Sequence, residues 1–191
     1  MLRRVVLTVA LLNLVYGVFE CAVALRIGSV SLLADSVDFF EDTSVNLLIF
    51  LALAWSAKAR ARLGMLLAGI LLVPAVAALW TAVEKFLSPM PPDAVSLSLT
   101  GLGALAVNLT CAILLAKVRR HSGSLTRAAF LSARNDAYAN LAIIGAGLVT
   151  AGLWPSIWPD LLVGIGVALL NAGAAHEVWE AAREEHKSAE T

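Results

Sequence analysis

Apolar runs recur along the chain near residues 4–26, 32–56, 63–87, 94–117, 125–152 and 157–180. Each has the length of about 20 residues that a helix needs to cross about 30 Å of hydrocarbon. The breaks between them carry turn chemistry: Gly28-Ser29 after the first, Pro89-Met90-Pro91-Pro92-Asp93 after the third, Ser122-Gly123-Ser124 after the fourth and Pro155 to Pro159 after the fifth. No break is long enough to hide a folded domain. The pattern predicts an all-α integral membrane protein, a bundle of six transmembrane helices over residues 1–182 with a short tail, 183–191.

Polar positions inside these runs change the picture, because an ionisable group in an apolar helix costs several kcal/mol, from about 2.5 upward. The second run carries Asp35, Asp38, Glu41 and Asp42. At about 100° per residue, Asp35, Asp38 and Asp42 form one stripe that Asn46 extends, with Glu41 to one side. The fifth run carries Asp136, with Ser132 a turn before it and Asn140 a turn after it. Entering from opposite sides near Ser31 and Leu125, Asp42 and Asp136 each lie about 16 Å deep at 1.5 Å per residue. Both therefore reach the midplane. Carboxylates converging there repel one another unless protons or a cation neutralise them, and a metal ion is the simplest neutraliser.

Other readings compete for some of these groups. Asp35 lies close enough to the outer helix end to be structural. Arg134 is near Asp136 in sequence but points elsewhere on the helix. Asn13 with Glu20 in the first run and Asn108 in the fourth fit interhelical hydrogen-bond glue, or the lining of a water-filled path.

The composition, 60% hydrophobic and 15% charged, exceeds what a soluble core of this size requires. The 14 basic and 14 acidic side chains cancel, and no basic run or aromatic platform offers nucleic acid a site. Cys21 and Cys111 sit alone in apolar runs, against a disulfide framework or zinc knuckle. The first run continues from Met1-Leu2-Arg3-Arg4 past Glu20 without a small-residue cleavage site, as a retained span does. Arg3, Arg4, Lys58, Arg60, Arg62, Lys117, Arg119, Arg120 and Arg127 fall on one side, against Arg26 and Lys85 on the other, which predicts cytoplasmic termini. Trp80, Trp154 and Trp158 lie toward the opposite face, a headgroup position for aromatic rings.

The stretch Gly28-Ser29-Val30-Ser31-Leu32-Leu33-Ala34-Asp35-Ser36-Val37-Asp38-Phe39-Phe40-Glu41-Asp42 resembles the second-helix signature of the cation diffusion facilitator family. Phe130-Leu131-Ser132-Ala133-Arg134-Asn135-Asp136-Ala137-Tyr138-Ala139-Asn140 resembles its fifth-helix signature, and the likeness covers essentially the whole chain. The resemblance implies a proton-coupled antiporter that exports a divalent cation, with Asp38, Asp42, Asp136 and Ser132 as the metal set. It further implies a homodimer through transmembrane helices and a multi-pass protein of a bacterial inner (cell) membrane. Metal and protons are then substrates, and no cofactor is expected. Ser132 stands where the family carries a strong ligand, which leaves the fourth position to water, Asn140 or nothing. With no His in the set, oxygen-tolerant manganese, iron, cobalt and cadmium join zinc as substrates.

The chain is expected to end soon after the sixth run, without the ferredoxin-like cytoplasmic domain common in the family. A small-residue ridge of Gly164, Ala168 and Ala172 offers a helix-to-helix contact in its place, alongside internal packing. The tail residues His176, Glu177, Glu180, Glu184, Glu185 and His186 fit a solvated helix end or a collector of metal. An intramembrane metal-dependent or aspartyl enzyme and a non-transporting membrane subunit are the rival functions. The Gly-x-Gly-Asp run of aspartyl membrane proteases and the Asp-Gly-x-x-Ala-Arg run of headgroup transferases are both missing from the sequence.

Overall fold

The computed structural model describes residues 2–52, 76–118 and 123–170. Among these residues six helices and no strand occur: α1 Leu2–Ile27, α2 Val30–Ala52, α3 76–87, α4 Ala94–Ala116, α5 Gly123–Gly152 and α6 Trp158–Leu170. Lys58, Arg60, Arg62, Arg119, Arg120, Ala172, the residues from His176 to His186 and the 183–191 tail lie outside the described residues, as does the side chain of Arg127.

Helix boundaries follow local chemistry. Gly28 takes φ +65°, a left-handed conformation that a side chain disfavours, and so turns the chain from α1 into α2, with only Gly28 and Ser29 between the two helices. Asp93 caps α4: its side chain accepts from the Ser96 backbone N–H at 2.8 Å. That bond favours the charged form and holds the Asp93 carboxyl below its ordinary range.

The pairs α1–α2 and α4–α5 pack along their lengths, α1 also meets α4, and α2 also meets α5. Two apolar layers close the ends of this four-helix arrangement. One, at the end holding both the N-terminus and Lys117, joins Val6, Val9, Ile49, Cys111, Leu115 and Ala133. The other joins Ala24, Leu32, Leu33, Ala78, Leu97 and Ile143. Between them lies a layer of buried polar groups, including Asn13, Glu20, Asp35, Asp38, Asp42, Asn108 and Asn140.

The exterior is the reverse of a water-soluble surface. Leu11, Val15, Leu99, Ile113, Leu148 and Leu169 are all exposed. Burying carboxylates while exposing leucine lowers free energy only where the surroundings are hydrocarbon. Among the described residues two helices, α1 and α4, are by length and composition alone apolar enough to cross a bilayer. The acids of α2 and the polar groups of α5, several of them buried, lower the average hydropathy of those two helices.

Helix α6 docks on this group through Gly164, which packs against the start of α2. A Cβ placed there would meet the Ser31 nitrogen and the Val30 carbonyl carbon at 2.8 Å. Of the two uses open to the small-residue ridge, internal packing is the one seen at Gly164, where the close approach of α6 to α2 requires a glycine. Cys21 and Cys111 are both free thiols.

Candidate metal site

The four acids of α2 fan out to different partners. At about 100° per residue Asp38 lies roughly 60° from both Asp35 and Glu41 and roughly 40° from Asp42, so a single stripe can face several neighbouring helices. Asp42, 3% exposed, accepts from Ser132 Oγ at 3.0 Å through Oδ1 and from Asn13 Nδ2 at 3.4 Å through Oδ2. Asn13 Oδ1 in turn accepts from Cys111 Sγ at 3.6 Å. Asn13 thus acts directly on one of the predicted site residues, as a donor that fixes the carboxylate plane.

Asp38, Glu41, Ser132, Asn135 and Asp136 line a cavity of about 780 Å³ between α2 and α5, completed by α6 residues such as Val163 and Val167. Asp42 stands directly behind this wall through its bond to Ser132. The structure therefore brings Asp38, Ser132 and Asp136 to one cavity with Asp42 at its back. It also brings Glu41 there, although its helical angle alone sets it aside from the stripe. Among the described residues no group of three His, Cys, Asp or Glu side chains is arranged to hold an ion. The acids share an approach and do not form a closed cage.

Neighbouring residues resolve other expectations. Arg134 is exposed and reaches Asn135 Oδ1 at 3.5 Å. Asn140 donates to Asp35 Oδ2 at 2.5 Å and accepts from Asn108 Nδ2 at 3.0 Å, which commits both ends of its amide away from the cavity. As a fourth ligand Asn140 is thereby disfavoured. Asp35 is fully buried and tied to α5 through Asn140.

Sequence reasoning missed Asp160, in the first turn of α6. Fully buried, its carboxylate accepts from Ser29 Oγ at 2.7 Å, Ser31 Oγ at 2.6 Å and the backbone N–H groups of Val30 and Ser31 at 2.9 and 3.2 Å. It caps the α2 N-terminus from another helix, where a negative charge complements the helix dipole. Lys85 is buried, with Nζ 4.0 Å from Asp160 and donating to the Met90 carbonyl at 2.9 Å. The available signal was an acid directly after Pro159 at the start of an apolar run.

The sequence matches a known family along nearly its whole length: the cation efflux transmembrane domain aligns with residues 6–184. The chain belongs to the cation efflux family. This cation efflux protein is a helical membrane protein of a transporter family, and its class of activity is metal-cation efflux. No curated protein matches it significantly.

Proposed function

We propose that this cation efflux protein is a proton-coupled antiporter, exporting a divalent transition metal such as zinc or cadmium through Asp38, Asp42, Asp136 and Ser132. The observation that carries the reading is the shared wall: Asp38, Ser132 and Asp136 line one cavity, and Ser132 bonds to Asp42. An ion entering the cavity would draw the three carboxylates together, replacing their mutual repulsion with attraction to a common charge. Metal binding requires ionised carboxylates, so protons held there leave as the ion arrives, and they return when it departs. One site serves both substrates in turn.

The donor set is all oxygen, which admits manganese, iron and cobalt beside zinc and cadmium. Ser132 supplies a neutral hydroxyl, a weak fourth partner that leaves room for water. The two apolar layers that bracket the polar layer provide the seals between which access would alternate. We place both termini in the cytoplasm of a bacterial inner membrane. Self-association through membrane helices would use a face other than the one that seats Gly164.

The test is cadmium or zinc uptake into proteoliposomes with an imposed pH gradient. An acidic lumen should accelerate uptake, and a protonophore should abolish the acceleration. Flux indifferent to the gradient would identify a channel or uniporter instead.

A further inference from the structure

The polar layer holds a second pair of acids that the transport site leaves unused. Glu20 of α1 is fully buried, and neither of its carboxyl oxygens has a hydrogen-bond partner among the described residues. Asp35 of α2 is also fully buried: Oδ2 accepts from Asn140, while Oδ1 has no hydrogen-bond partner among the described residues. The two carboxyl groups lie within hydrogen-bond reach of each other. Two ionised carboxylates cannot donate to one another, and in a low-dielectric interior their repulsion and desolvation are both unfavourable. A water could satisfy lone pairs there but would leave the charge in place.

No cation among the described residues is placed to neutralise the pair. On α1 the nearest is Arg26, exposed and about 9 Å further along the helix. Helix α2 has no basic residue, and α4 has no ionisable side chain apart from its lone Cys111 thiol, which faces Asn13. On α5, Arg134 is exposed; on α3, Lys85 is engaged with Met90 and Asp160. The remaining titratable neighbours are Tyr16 and Cys21 of α1, Asp38 of α2 and Asp136 of α5, none of which brings positive charge. The Tyr16 hydroxyl donates to the Thr100 carbonyl at 2.6 Å, so its hydrogen is used elsewhere.

We infer that Glu20 and Asp35 form a proton-binding site separate from the metal carboxylates, in which the two buried carboxyl groups share one proton between α1 and α2. The bound proton supplies the missing donor and lowers the charge of the pair from −2 to −1. Asn140, donating to Asp35 and accepting from Asn108, joins this site to α5 and α4. The inference deepens the proposed antiport and rests on it only for the use to which the proton is put, since the pair itself can be observed without transport.

The experiment is infrared spectroscopy of the purified protein in lipid at neutral pH with saturating cadmium, which strips protons from carboxylates that ligate it. Wild type should retain a protonated-carboxyl C=O band under these conditions. The band should be lost in Glu20→Gln, whose amide can donate to Asp35 in the proton's place, and in Asp35→Asn. A wild-type spectrum without the band, or a band undiminished in both variants, would overturn the inference. If the band behaves as expected while metal flux ignores the pH gradient, the antiport reading fails and the proton site stands.

Discussion

Ser132 on α5 and Asp42 on α2, 90 positions apart, are joined by a 3.0 Å hydrogen bond at the back of the cavity that Asp38 and Asp136 line. The bond orients Asp42 without neutralising it. A neutral hydroxyl contributes little to a divalent ion, so the proposed site depends on its three carboxylates. Asp38→Ala, Asp42→Ala and Asp136→Ala should each abolish metal flux in proteoliposomes and sharply weaken cadmium binding by calorimetry, with membrane insertion intact. Ser132→Ala should keep flux within about tenfold of wild type, a change of about 1.4 kcal/mol. Ser132→His should tighten zinc binding by adding a nitrogen donor.

Glu41 shares the cavity wall with Asp38 and Asp136. Its charge attracts an approaching cation across partly solvated space, where the interaction is weaker than direct ligation. Glu41→Gln should raise the metal concentration needed for half-maximal flux by up to about tenfold, about 1.4 kcal/mol, while the maximal rate changes little. A dead Glu41→Gln transporter would make Glu41 a ligand.

Asp160 collects four hydrogen bonds from the start of α2 and lies beside the buried Lys85. Asp160→Ala removes the cap and leaves Lys85 without its nearest counter-charge. By analogy with broken buried ion pairs the loss should be about 3–5 kcal/mol, read as a large drop in the thermal unfolding midpoint in detergent. Paired removal in Asp160→Ala/Lys85→Met should recover part of it.

Much of this architecture is legible in the sequence because the bilayer makes polarity expensive. An acid within an apolar run must face the bundle, so α2 and α5 announce their inner faces at Asp38, Asp42, Ser132 and Asp136. What a helical period cannot tell is which neighbour each position meets. Glu41 looked peripheral by angle, yet a third helix, α6, completes a cavity that reaches round to it. Asp35 and Glu20 are each ordinary polar positions in their own helices, and only packing of α1 on α2 joins them. Asp160 was illegible for a similar reason: the donors it satisfies lie about 130 residues away, in a turn whose Gly28-Ser29 signal says that α2 begins there but not what caps it.

Gly164 tests the docking of α6. A side chain here must displace the backbone of Val30 and Ser31, which cannot yield as a flexible side chain would. Gly164→Leu should lower stability by more than about 3 kcal/mol. The loss should appear at every protein concentration in detergent, as disruption within one protomer requires. A variant of unchanged stability that only dissociates oligomers would assign Gly164 to an interface instead.

The most direct test of the central claim records metal uptake and lumenal pH together in proteoliposomes containing wild type or Asp136→Ala, with equal amounts of inserted protein. No other carboxylate in the fifth span can replace Asp136. The account predicts that wild type accumulates cadmium while the lumen turns alkaline as protons leave in exchange, and that Asp136→Ala does neither. Cadmium uptake by Asp136→Ala at the wild-type rate, or wild-type uptake with no change in lumenal pH, would contradict it.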